Sequence, residues 1–288
     1  MKKAFEKLNL RDYGVLLGFL ALCIAISIAT PSFLGKQNIL NLLRQSSIIG
    51  IISAGMTFVI ISGNFDISVG AVAALAGAIT MKFATGGTNL FASMLLGVAI
   101  CAVIGLINGI VVAKINVPSL IATMAMVTIV RGLLLMLTGG YPITENIPIL
   151  DYIGNGYLFS IPIPVVIFFI VVLASFIVLN KTKFGRYVYS VGGNQEASKL
   201  NGINVDSHKV KVFIINAVLA GIAGIVLTGR LGTATAIAGE GYDMDAIASV
   251  VIGGTSVAGG SGSVLKTVIG VLLMSVINNS FNLLGIDV

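Results

Sequence analysis

A chain of 288 residues with 57% hydrophobic and 10% charged side chains, at a mean hydropathy of +1.05, cannot cover its apolar surface in water. A soluble fold is excluded, and lipid is the solvent that the composition requires. The excess of 17 Lys and Arg over 11 Asp and Glu does not indicate nucleic acid. Ten of the basic residues lie in two clusters, 1–12 and 180–211, separated by apolar spans, which suits topogenic charge and contact with anionic lipid. Cys23 and Cys101 both fall in apolar runs and read as small buried hydrophobes rather than a disulfide.

A span needs about 20 apolar residues to cross a hydrocarbon core of about 30 Å as a helix, the only open-chain form that satisfies its own backbone there. In chain order, 13–30, 46–62, 91–113, 118–138, 161–179, 212–229 and 267–284 qualify. The first follows MKKAFEKLNLRD and is read as an anchor, because its 18 apolar residues are long for a signal peptide and no A-x-A site follows. Two further segments are short. Residues 67–81 follow the polar break GNFDISVG, and 246–258 precede GGSGSVLK; each predicts a short, tilted or broken helix whose loose ends are covered by protein or a water-filled cavity. The chain therefore reads as an all-α polytopic transmembrane bundle of about nine to ten segments, forming one domain over 1–288.

Charge orients the bundle. The loop 180–211 holds five Lys, one Arg, one Glu, one Asp and the only His, whereas 139–160 holds no Lys or Arg and only Glu145 and Asp151. Short loops rich in Lys and Arg resist translocation, so 180–211 and the N-terminus are expected in the cytoplasm, six spans apart, and 139–160 outside. The outer loop, with its Pro, Gly, Asn and Tyr, reads equally as a docking site for a soluble partner or as a connector with an interfacial helix.

Catalytic chemistry is hard to find. His208 has no metal-ligand companions and reads as a solvated loop residue. The stretch from Gly260 to Thr267 (GSGSVLKT) approaches a phosphate-binding loop but has Leu265 where the pattern needs Gly, so ATP hydrolysis is not expected on this chain and it is not read as an enzyme. Gly occurs at 35 positions, with small residues four apart at Gly50/Ala54, Ala73/Gly77, Gly105/Gly109, Ala217/Gly221 and Ala220/Gly224. That spacing predicts close helix packing and identifies no substrate.

Several motifs in order carry a resemblance: GNFDISVG at 63–70, Asn108-Gly109, VPSLIAT at 117–123, Arg131-Gly132 and Thr138-Gly-Gly140. They continue with Gly192-Gly-Asn194, Glu196-Ala197, Asn201-Gly202-Ile203, AGIAG at 220–224, GYDMDAIA at 241–248, IGGTS at 252–256 and GGSG at 259–262. Over nearly its whole length the chain resembles the ribose-type sugar permeases of bacterial ATP-binding-cassette importers, which are related to branched-chain amino acid permeases. The resemblance implies a ten-helix permease subunit in the bacterial inner membrane, paired with a second permease copy, an ATPase subunit that holds ATP and Mg, and a substrate-binding protein. The cargo implied is a monosaccharide. The family continues with another apolar span and a basic tail, so a further helix is expected beyond Gly285-Ile-Asp-Val288. An ion-coupled transporter would place partnered acids at mid-membrane, where only Asp66 lies near a break, and a membrane enzyme would need a nucleophile or metal set.

The resemblance also implies that 192–203 forms the coupling helix seated in the ATPase, with Gly192, Gly193, Asn194, Glu196, Ala197, Asn201, Gly202 and Ile203 as its residues. The local chemistry agrees: EASKL contains helix formers bounded by the flexible pair Gly192-Gly193 and by Asn201-Gly202, with Glu196 in the first turn. Candidates for the translocation path or for fixing helix breaks are Asn64, Asp66, Ser68, Asn108, Asp245 and Thr255. Asp66 either caps the broken helix, the favoured reading, or lines the path. Asp243 or Asp245 is expected to cap a helix starting near Ala246, with sugar contact as the alternative.

Overall fold

The computed structural model describes residues 10–285. Twelve α-helices make up most of it, and they are labelled in chain order. They are α1 (Leu10–Ala29), α2 (Lys36–Ile61), α3 (Val69–Thr85), α4 (Leu90–Ala113), α5 (Ser119–Thr138), α6 (Pro148–Asn155), α7 (Ile163–Lys181), α8 (Lys183–Gly193), α9 (Gln195–Leu200), α10 (Val205–Leu231), α11 (Tyr242–Ile252) and α12 (Val264–Leu284). Six of them, α2, α4, α5, α7, α10 and α12, are long and apolar enough to cross a membrane, and the shorter apolar helices Leu17–Ala29 and Val69–Thr85 accompany them. The expected polytopic all-α bundle is what the chain forms. Lys2, Lys3 and Lys7 of the first basic cluster, and residues 286–288, after which a further helix is expected, lie outside the described residues.

Helix α2 forms the core: 94% of its apolar window is buried, against 28% for α4 and 22% each for α5 and α7. A helix that is apolar all round is buried in a bundle or faces lipid, and both kinds occur here. The other central helix, α10, packs against α2, α3 and α4. It does so closely because the small residues meet there: a methyl group on Gly224 would overlap the Ala73 carbonyl, and one on Gly77 would overlap the Thr228 hydroxyl. No hydrophobic effect drives helices together in lipid, so close backbone approach and its dispersion contacts supply the attraction.

The helix bounds depart from the hydropathy reading in a consistent way. The span read as 46–62 begins at Lys36, 212–229 widens to Val205–Leu231, and 246–258 becomes Tyr242–Ile252 with no helix over 253–263. Hydropathy registers only the apolar stretch, whereas a helix continues through polar residues until a cap or a glycine stops it.

Two ends of the bundle differ in kind. At one end lie α8 and α9. The 19 residues of α7 separate it by about 28 Å from the other, where β1 (Ile143–Thr144) pairs antiparallel with β4 (Thr233–Ala234) in the register Ile143↔Ala234. There β2 (Tyr157–Leu158) also pairs with β3 (Ile161–Pro162), and α6 lies against the C-terminal end of α10. Gly154 touches the backbone of Gly229 and Arg230 closely enough that a methyl group would overlap it. Buried Arg44 of α2 donates from Nη2 to the Asn155 carbonyl at 3.0 Å and lies 4.9 Å from the centre of the Tyr157 ring. A cation at the C-terminal end of α6 suits its dipole, so the 139–160 loop is a fixed cap containing a short helix.

Candidate functional site

The first break runs over 62–68, between α2 and α3, and most of its backbone N–H groups are hydrogen-bonded. Gly63, at φ 78°, turns the chain, and its N–H and that of Asn64 return to the Ile60 and Val59 carbonyls at 2.9 and 3.1 Å. Beyond them, Phe65 N–H donates to Ser119 Oγ and Ile67 N–H to Thr123 Oγ1, both at 3.1 Å, so α5 satisfies what the broken helix leaves free. Asp66, 1% exposed, completes the break. Its Oδ1 accepts from Ser68 N at 2.9 Å and Ser68 Oγ at 2.6 Å, and its Oδ2 accepts from Asn216 Nδ2 of α10 at 2.9 Å. Ser68 Oγ in turn accepts from Asn108 Nδ2 of α4 at 3.0 Å. Asn64 is buried and donates to Ser62 O and Ser62 Oγ at 3.0 and 3.1 Å.

Asn64, Asp66, Ser68 and Asn108 therefore share one region, and Asp66, Ser68 and Asn108 form a continuous chain of hydrogen bonds. Sequence reading missed Asn216, Ser119 and Thr123. The available signals were a lone amide in the apolar run IINAVLAG and a Ser and Thr four apart at a helix start, which lie on one helical face. Asn216 is fully buried and its Oδ1 has no partner.

The second break has two parts. From Gly232, at φ 65°, the chain passes through β4 and runs inward until Gly239 lies on Gly70, where a methyl group on Gly70 would overlap the Gly239 carbonyl. Arg131 Nη1 of α5 donates to the carbonyls of Ala236 and, at 3.0 Å, Ala238, and it feels the charges of Glu240 and Asp243. Glu240 is exposed, and Asp243 and Asp245 are partly so. Helix α11 then begins at Tyr242, four residues earlier than expected, with Gly241 at φ 81° in the cap position and no side-chain cap bond. The capping expected of Asp243 or Asp245 is thus corrected: both lie within the first turn, and the left-handed glycine sets the helix start. Asp245 instead accepts from Asn278 Nδ2 of α12, with both oxygens at 3.4 Å. Beyond α11, Thr255 is buried, its Oγ1 has no partner, and Gly262 packs on its side chain.

At the basic end, Thr182 Oγ1 caps α8 by accepting from Gly185 N at 3.2 Å, and Asn194 Oδ1 caps α9 by accepting from Ala197 N at 2.9 Å. The expected short helix is present as Gln195–Leu200. It shows Glu196, Ala197, Lys199 and Leu200 to the outside, Leu200 being 89% exposed, and turns Ser198 inward to Ser190 at 2.9 Å. Asn201 Nδ2 donates to the Ala197 carbonyl at 2.8 Å, Gly202 turns the chain at φ 78°, and Ile203 N–H returns to Ser198 O at 3.0 Å.

Two expectations change here. Gly192 and Gly193 are the last residues of α8 rather than a flexible break, because Gly192 lies on the Ile61 carbonyl. His208 belongs to α10 and is no solvated loop residue: its ring stacks on Phe184 at 5.7 Å and meets Tyr187 edge-on at 5.0 Å, which fastens α8 to α10. Tyr189 donates its hydroxyl to the Gly262 carbonyl at 3.0 Å. Burial pushes its phenol above the ordinary value, so the donor is retained at neutral pH.

Comparison with known proteins gives this arrangement a family. Residues 38–287 match the family described as "Branched-chain amino acid transport system / permease component". The ribose import permease protein of Haemophilus influenzae is 43% identical, over 93% of this chain and 85% of that protein. That of Bacillus subtilis is 43% identical over 96% and 87%, and the D-allose transport system permease protein of Escherichia coli is 36% identical over 93% and 83%. No solved structure matches the chain. The helical bundle, its two broken segments and these relatives lead to one assignment: the chain belongs to this permease family and is a sugar permease subunit of an ATP-binding-cassette importer.

Proposed function

We propose that the protein carries a ribose-like monosaccharide across the bacterial inner membrane, taking it from a separate binding protein and drawing its work from a separate ATPase that holds ATP and Mg. The observation that carries this reading is α9. It is a capped helix with Glu196, Ala197 and Leu200 exposed at the most basic end of the molecule, and Lys- and Arg-rich ends stay in the cytoplasm, where the ATPase is. The N-terminus lies on the same side, and 180–211 is the cytoplasmic loop that carries the coupling helix within a single permease domain over 1–288. Counting α1, α3 and the inward arm that ends in α11 with the six long helices makes nine crossings.

The sugar path runs along the face of 235–245. Glu240, Asp243 and Arg131 are incompletely buried next to apolar helices, and charged groups at that depth face a water-filled cavity or another protein rather than lipid. A second copy of the permease covers this face, with lipid around the remainder. Carboxylates and a guanidinium suit a neutral polyol, since they accept from and donate to hydroxyls. Relatives named for ribose and allose support that class.

Replacing Ala197 by Trp tests the reading. A bulky group on the exposed face of α9 excludes the ATPase sterically, so the Ala197→Trp permease inserts but neither retains the ATPase on purification nor supports sugar-stimulated ATP hydrolysis. Unchanged values of both would remove α9 from the mechanism. Uptake of ribose, allose or xylose that survives without the ATPase would place the protein among ion-coupled transporters.

A further inference from the structure

We propose that Gly192 is the point at which motion of the α8–α9 hairpin enters the membrane, through direct backbone contact with both broken segments at once. The inference rests on the coupling role of α9 given above. Where it goes further is in naming the contact on the membrane side.

The hairpin itself is stiff. The Asn194 cap, the Ser190–Ser198 bond and the return of Ile203 N–H to Ser198 O tie α9 to its flanks. Its inner end meets two backbone segments. A methyl group on Gly192 would overlap the carbonyl oxygen of Ile61 and stand 2.8 Å from the Gly260 nitrogen. That same Ile61 carbonyl accepts the Gly260 N–H at 2.8 Å, and Tyr189, one turn back, holds the Gly262 carbonyl at 3.0 Å.

Each partner leads somewhere different. Ile61 is the last residue of α2, and five residues on, Asp66 holds the start of α3 to α4 and α10 through Ser68, Asn108 and Asn216. Gly260 and Gly262 belong to the 253–263 connection between α11 and α12, and α11 carries Asp243 and Asp245. A displacement of α8 is therefore delivered to both sides of the 235–245 face through one junction. A side-chain contact would absorb part of that displacement by changing rotamer, whereas backbone against backbone has no such slack. Packed elements with discrete arrangements then convert a small shift into a change of state.

The test uses the complete transporter, with its ATPase and binding protein, in proteoliposomes. The readout is sugar imported per ATP hydrolysed, measured with whichever of ribose, allose and xylose most stimulates hydrolysis by the wild-type complex. Gly192→Ala pushes α8 off Ile61 and Gly260, and the ratio is expected to fall by roughly tenfold or more, the size of a typical coupling between sites, while the ATPase still co-purifies. Gly18→Ala, at a site with nothing within 4 Å, controls for the substitution itself. A wild-type ratio for Gly192→Ala overturns the proposal, and so does loss of the ATPase, which would make Gly192 part of the partner's seat.

If Gly192→Ala fails to accumulate in the membrane, Tyr189→Phe decides. It removes only the hydroxyl bond to Gly262, and the ratio is expected to fall roughly twofold to tenfold. An unchanged ratio overturns the proposal. A wild-type complex whose hydrolysis responds to none of the three sugars refutes the sugar reading instead, and the two failures are thereby told apart.

Discussion

The two breaks solve the same problem in opposite ways. In 62–68, side chains from neighbouring helices close the break: Ser119 and Thr123 take the N–H groups of Phe65 and Ile67, and Asp66 is enclosed by three hydrogen bonds and 1% exposed. In 232–245, glycines at positive φ make the turns, one guanidinium holds two carbonyls, and the carboxylates of Glu240 and Asp243 stay accessible. Buried polar networks are costly to disturb when complete, whereas accessible charge inside a membrane protein marks a path for solutes. Under the proposed function, the first break serves as a joint and the second as the surface the cargo meets.

The largest effect is expected at the joint. Asp66→Leu strands Ser68 N–H, Ser68 Oγ–H and the Asn216 amide, and each buried donor left unpaired costs about 1–3 kcal/mol, so the amount of folded protein in the membrane drops steeply. Asp66→Asn is expected to keep much of its uptake. After a flip of the Asn216 side chain its Oδ1 accepts from the new amide and its Nδ2 takes the unpartnered position that Oδ1 held, so one donor is left unpaired where Asp66→Leu leaves three. Quantifying folded protein after detergent extraction beside uptake decides this, and abundant, well-folded Asp66→Leu protein without uptake would turn the joint into part of the path.

An intermediate effect is expected at Arg131. Arg131→Gln loses the charge-assisted bonds to Ala236 and Ala238 and frees the inward arm; these groups are partly exposed, so water takes the released carbonyls at small cost to folding. If that arm is the cargo's surface, uptake falls by roughly tenfold or more while the amount of folded protein changes little. Equal losses in both would make the second break a structural joint like the first.

The smallest effect is expected at Asp245, whose polar contact is a 3.4 Å approach to Asn278. With no cap bond to lose, Asp245→Ala is expected to shift the melting temperature by no more than about 2–4 °C, the scale of 1 kcal/mol in a protein of this size. The sugar concentration for half-maximal uptake is expected to rise instead. A fall in stability with unchanged half-saturation would restore the capping role.

Much of this molecule was legible in the sequence. Hydropathy locates the spans because lipid requires apolar helices, and charge separates the two ends because Lys and Arg resist translocation. GNFDISVG marks the first break, since glycines and a lone acid interrupt an apolar run, and EASKL between Asn194 and Asn201 marks α9 through helix formers and caps. These are local signals, read within one turn of the chain. Other features depended on what each segment meets. Gly192-Gly193 looks like a flexible hinge by composition, yet Ile61 and Gly260, distant in sequence, make it a rigid contact. Asp243 and Asp245 look like caps until Gly241 adopts a left-handed conformation and starts the helix ahead of them. His208 looks solvated until Phe184 and Tyr187 of α8 close on it, and Asn216 looks like an isolated amide until α3 brings Asp66 to it. Composition and spacing determined the solvent, the helices and the two ends, because those follow from the chemistry of neighbouring residues; which break is sealed and which is open was decided only by tertiary packing, because hydrogen-bond satisfaction depends on groups that the chain supplies from elsewhere.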